Sequence, residues 1–150
     1  MNTRERMRSA TQVALIRSLQ LDRQRLEAQR VAAEALRAHV AEIDARALLH
    51  AQTVALRRAL QADSAIAPNL IADSIASINA ARARADAALN DAKRTAEHDE
   101  RERVAHAHSQ RLVELADETV SRTTRTYTRT LEQRQSDAIE ETLRARGVRP

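Results

Sequence analysis

Cysteine is absent from the 150 residues, glycine occurs once, proline twice, and Tyr127 is the only aromatic residue. Each shortage removes a class of protein. Without cysteine there is no disulfide framework, no thiolate metal site and no thiol nucleophile. With one aromatic side chain the sequence lacks the bulk that usually fills a globular core of this length, and with so little glycine and proline it lacks the punctuation of many turns. The single glycine, Gly147, leaves no glycine-rich loop to cradle a phosphate. No apolar run approaches the roughly 20 residues that a membrane span needs. The opening residues Asn2-Thr3-Arg4-Glu5-Arg6 lead into an amphipathic stretch rather than an apolar signal block, so a cytoplasmic protein is expected.

What the chain does have is helical periodicity. Hydrophobic residues make up 43% and charged residues 31%, with Ala, Leu, Arg, Gln and Glu predominating. The pattern breaks once, at Asp63-Ser64-Ala65-Ile66-Ala67-Pro68-Asn69. Proline is poorly tolerated inside a helix but suits its first turn, and Asp63, Ser64 and Asn69 are capping or turn residues. The expected fold is all-α: two long helices in an antiparallel coiled-coil hairpin, the first over about 3–62, a turn at about 63–69, and the second over about 68–146, forming a single domain over 1–150. A single rod kinked at Pro68 is the alternative.

In the first helix the bulky apolar residues Leu15, Leu19, Leu26, Leu36, Val40, Ile43 and Val54 recur in steps of three and four, with Ala33 and Ala47 among them. This reads as the seam, interrupted by Asp22, Gln29 and His50. In the second helix the seam starts with Ile71, Ile75, Ile78, Ala85, Leu89, Ala92 and Ala96. It crosses a charged section, Lys93 to Arg103, and resumes with a phase shift at Val104, Leu112, Leu115, Val120, Tyr127, Leu131, Ala138 and Leu143. Repeated threonine in Arg122-Thr123-Thr124-Arg125-Thr126-Tyr127-Thr128-Arg129-Thr130 lowers helix propensity, marking a turn of helix that either frays or is merely tolerated. Gly147 and Pro150 suit a helix end.

The net charge of +4 is unevenly placed. Residues 1–30 hold seven arginines against three acids, whereas the remaining 120 residues carry no net charge, so the whole excess lies in the first 30. A second acid-free stretch carries Arg122, Arg125 and Arg129. A hairpin centred on 63–69, pairing residues whose numbers add to about 135, would bring this stretch beside Arg4, Arg6, Arg8 and Arg17, so that one end invites an acidic surface. The other end, around Ile66, Leu70, Ile71 and Ile75, is apolar and nearly uncharged. His98, His106 and His108 are the only cluster of ligand type, and their spacing does not place two imidazoles on one face as a zinc pair requires. No metal site, cofactor, small-molecule substrate or catalytic residue is expected.

Two long helices folded at a central break, rich in Leu, Ala, Arg and Gln and basic where the chain ends meet, resemble the FliJ/YscO family of type III secretion stalk proteins, flagellar or injectisome. The resemblance lies in architecture, length and charge layout, with no sharp motif. It implies a non-enzymatic stalk, peripheral to the inner-membrane secretion apparatus, whose paired termini bind a hexameric export ATPase and whose opposite end faces the export-gate protein. By position it assigns Arg4, Arg6, Arg8, Arg17, Arg125 and Arg129 to the ATPase and Ile66, Leu70, Ile71 and Ile75 to the gate. Two other readings stay open: a generic structural coiled-coil rod, and a basic coiled coil that binds nucleic acid. The small net charge and near balance of residues 93–150 weigh against the last.

Overall fold

In a computed structural model the protein is described over residues 2–62 and 67–147. It is all-α, a hairpin of two long helices packed on each other: α1, Thr3–Gln61, and α2, Pro68–Ala145.

Local chemistry explains the helix ends. Asn2 caps α1: its carbonyl accepts the Arg6 N–H at 3.0 Å, and Glu5 reaches back to accept the Asn2 N–H at 3.0 Å. This is half of a capping box, and it places a carboxylate at the positive end of the helix. Ala67 stands before α2, its carbonyl taking the N–H groups of Leu70 at 3.0 Å and Ile71 at 3.4 Å. Pro68 is therefore the first helical residue, where a missing N–H costs nothing. Asn69 is helical and is not the cap, while Asp63, Ser64 and Ile66 lie outside the described residues. At the far end of α2, Gly147 adopts φ +70° and donates to the Arg144 carbonyl at 3.1 Å, a left-handed terminator that a residue with a Cβ would fill at a cost.

The threonine run does not interrupt α2. Thr119, Thr123, Thr126, Thr128 and Thr130 each donate to the carbonyl four residues back, at 2.8–2.9 Å. The hydroxyls are thereby satisfied within the helix.

The seam differs from the one that bulk suggests. Along α1 the central row of shielded residues is Thr3, Met7, Ala10, Ala14, Arg17, Leu21, Gln24, Ala28, Val31, Ala35, Ala38, Glu42, Ala45, Leu49, Gln52 and Leu56, with Ser18, Glu27, Ala32, Glu34, Thr53 and Val54 half-buried beside it. The steps along that row alternate between three and four without a break. Val31, at 1% exposure, is the most deeply buried. On α2 the matching set runs from Ile71 through Ser74, Ile78, Ala81, Ala85, Ala88, Ala92, Thr95, Asp99, Glu102, His106, Ser109, Val113, Ala116, Val120 and Thr123 to Tyr127 and Thr130. The heptad thus passes through the charged section with no phase shift, because Thr95, Asp99, Glu102 and His106 occupy seam positions there. Small side chains are the larger part of the α2 seam, whereas the α1 seam mixes alanine with Met7, Leu21, Leu49 and Leu56 and with the polar Arg17, Gln24, Glu42 and Gln52. The larger residues expected in the α1 seam, Leu15, Leu19, Leu26, Leu36, Val40 and Ile43, are all exposed. They occupy the reverse face of the helix.

The chain divides into two compact units: residues up to Arg25 together with those from Ala105 on, and Leu26–Val104. In the first unit, Thr3 and Arg6 share a hollow with Thr123 and Thr126, and Arg17 shares a groove with Leu112. In the second, Gln52 and Ala55 share one with Ser74 and Ser77. Within each unit, facing residues have numbers adding to about 129. The expected value of 135 is six residues too high, since the hairpin is centred midway between Gln61 and Pro68 rather than on the proline.

Candidate functional site

The register decides what surrounds the basic residues. In the first unit Thr3 lies opposite Thr126, so the part of α2 from about Leu131 to Ala145 lies opposite no described residue of α1. From Leu131 to Gly147 every residue is exposed, and the positions that would continue the seam are Arg134, Asp137, Glu141 and Arg144. Charged side chains there leave no apolar contact to extend the coil. Leu131, Ala138 and Leu143, expected to prolong the seam, lie in this uncovered stretch.

Arg4, Arg6 and Arg8 are exposed at the start of α1. Glu5, the one acid between them, is engaged with the Asn2 N–H, and none of the three arginines has an ion pair among the described residues. Arg6 shares its hollow with Thr3, Arg122, Thr123 and Thr126, a lining with two guanidinium groups and no carboxylate. Arg122 is held by Glu118 at 3.1 Å. Arg125 and Arg129 are exposed without an ion pair among the described residues, although Arg125 shares a shallow surface with Glu114, Asp117 and Glu118. Arg17 differs from the others. It sits in the seam, half-buried, and donates to Gln20 Oε1 at 3.0 Å, so its stem lies against apolar neighbours while its head reaches water. Beside it an open groove of about 450 Å³ is lined by Ala10, Val13, Leu112, Leu115 and Ala116 with Arg6 and Arg17. Sequence reasoning missed this groove because Val13 lies outside both stripes of α1.

The apolar candidates divide similarly. Leu70 and Ile75 are exposed in the first turns of α2, whereas Ile71 is half-buried in the seam and Ile66 lies outside the described residues.

His106 is half-buried in the seam while His98 and His108 are exposed, and the described residues contain no group of three or more His, Cys, Asp or Glu able to hold a metal ion. Among the described residues no helix is long and apolar enough to cross a membrane. Neither a family model, a curated protein nor a solved structure matches the chain.

Proposed function

We propose that the protein is a non-enzymatic coiled-coil stalk of a type III secretion export apparatus of the FliJ/YscO kind. It binds a hexameric export ATPase through its basic chain ends and links that ATPase to the export gate. One observation carries the reading: the hairpin gathers Arg4, Arg6, Arg8, Arg125 and Arg129 into one unit, and none has an ion pair among the described residues. Exposed like charges at the end of a two-helix coil raise its self-energy, and an acidic partner lowers it. A channel in a ring of subunits supplies such a partner, and binding only the assembled ring favours assembly by mass action. Leu70 and Ile75, exposed and apolar, are the residues offered to the gate. The resulting place is at the cytoplasmic side of the inner membrane, with no catalytic group, metal or cofactor contributed by this chain.

The triple substitution Arg4→Glu, Arg6→Glu and Arg8→Glu tests this. It is expected to abolish stimulation of the secretion ATPase while helix content by circular dichroism stays unchanged. Full stimulation by that variant would remove the basic end from the mechanism.

A further inference from the structure

The reverse face of α1 in the Leu26–Val104 unit carries an apolar stripe that the hairpin does not use. Leu26 is 68% exposed, Leu36 64%, and Val40 and Ile43 about half exposed. Their spacing, together with Ala33 between them, runs in steps of seven, three, four and three, the heptad period that lays one helix along another, with Gln29 at the one polar position. Scattered exposed leucines need no explanation, but a periodic row over some 25 Å of helix, at 1.5 Å per residue, is a seam without a second helix.

The charges beside the row indicate what that helix is. In a coiled coil the residues flanking the apolar stripe select the partner by sign. Here the two flanks between residues 26 and 47 hold Arg30, Arg37, His39 and Arg46, with Asp44 the only acid. Glu27, Glu34 and Glu42 are on the hairpin side, from which they hold Arg30 and Arg46 in place. Arg37 has no carboxylate within reach among the described residues and uses its Nε–H on the Ala33 carbonyl at 3.2 Å. A second copy of this chain would set arginine flanks against arginine flanks.

We infer that this face docks an amphipathic helix of another protein, one whose apolar stripe is bordered by Asp and Glu. The helix packs on Leu26, Leu36, Val40 and Ile43, and its acids meet Arg37 and Arg30. This site is separate from the chain ends proposed to bind the ATPase, so either can fail without the other.

The test uses the full chain and two labelled synthetic peptides of four heptads, both with Leu at the stripe positions, one flanked by Glu and the other by Lys. Fluorescence anisotropy at low salt should show the Glu peptide binding at least tenfold more tightly than the Lys peptide. The double substitution Leu36→Gln, Val40→Gln should weaken that binding at least tenfold with circular dichroism unchanged, since both side chains are exposed. Arg37→Glu should weaken the Glu peptide selectively. Repeating the measurement with Arg4, Arg6 and Arg8 replaced by Glu should leave the affinity within about twofold. Equal binding of the two peptides, or undiminished binding to the Gln variant, would overturn the proposal. So would sedimentation of the chain as a dimer that the Gln variant dissociates, because the occupant would then be a second copy.

Discussion

Asp99 shows how a single side chain can oppose the seam it belongs to. It is 8% exposed, at a position where its neighbours along the heptad are Ala92 and His106. One carboxylate oxygen accepts from Arg103 at 2.7 Å, whereas the other is buried without a partner. An orphaned buried acceptor costs about 1–3 kcal/mol, and the pair with the largely exposed Arg103 returns little of it. Asp99→Ala is therefore expected to stabilise the hairpin by about 1 kcal/mol, measured as an increase in the urea midpoint with the slope unchanged. A loss of stability would show that the carboxylate has a partner that offsets its burial. Glu42 at an equivalent position on α1 is better satisfied, by Arg46 at 2.8 Å and His39 at 3.3 Å. Arg30 is bound by Glu27 and Glu34. The hydrogen bond to Glu27, then the charges of Glu27 and Glu34, push its pKa above its ordinary high value. A cation whose folded-state pKa is raised contributes fully below its unfolded value, so the arginine's side of this pair is charged at neutral pH and is lost only in strong alkali.

At the scale of the element, α1 is a helix with two apolar faces and α2 a helix with one. The hairpin buries the face of α1 on which alanine alternates with a few larger residues and leaves Leu15, Leu19, Leu26, Leu36, Val40 and Ile43 in solvent. Substitutions on the two faces should therefore behave in opposite ways to those expected from side-chain size. Ala81→Leu inserts three carbons where the side chain is 3% exposed and is expected to cost about 1–3 kcal/mol through overpacking. Leu36→Gln removes a large apolar group yet should change stability by no more than about 0.5 kcal/mol, because that group touches solvent. Chemical denaturation of the two variants checks both. A large loss from Leu36→Gln would mean that the leucine face is the seam.

For the whole molecule, the heptad positions fix which residues face each other only once the register is set, and the register follows from where the two helices stop. Because there is no native cysteine, introduced pairs report it cleanly. Gln52→Cys with Ser77→Cys, which line one hollow, should form a disulfide readily. Gln52→Cys with Ala85→Cys, about one heptad further along the seam, should not. The reverse result would mean a slip of α2 along α1. Few residues hold that register: among the described residues the buried apolar side chains are Ala10, Val31, Ala38, Ala81, Ala85 and Ala116. Five methyl groups and one isopropyl group bury little apolar area, so half-buried seam residues such as Leu21, Leu49, Leu56, Ile78 and Val120 supply much of the hydrophobic contact.

Much of this was legible in the residues themselves. Helical periodicity, the break before Pro68 and the terminator at Gly147 depend on neighbours within a few positions, where backbone dihedrals and capping are decided, and both helices fall within a residue of their expected limits. The threonine run was open in the sequence because propensity speaks against it, while the hydroxyl bonds that satisfy it form only once the helix exists. The choice of seam was not legible. Two stripes of the same period lie on opposite sides of α1, and periodicity alone cannot rank them. Size favoured Leu26, Leu36 and Ile43, whereas the register sets the small seam of α2, Ala81, Ala85, Ala88 and Ala92, against Leu49, Ala45, Glu42 and Ala38. Which charges remain without an ion pair was legible in local spacing, since the ion pairs among the described residues join positions three or four apart on one helix. Which residues surround them depends on a register six residues from the one centred on the proline. Local chemistry thus determined the two helices and where they end; only their packing decided which face of α1 is core and which is left for another helix.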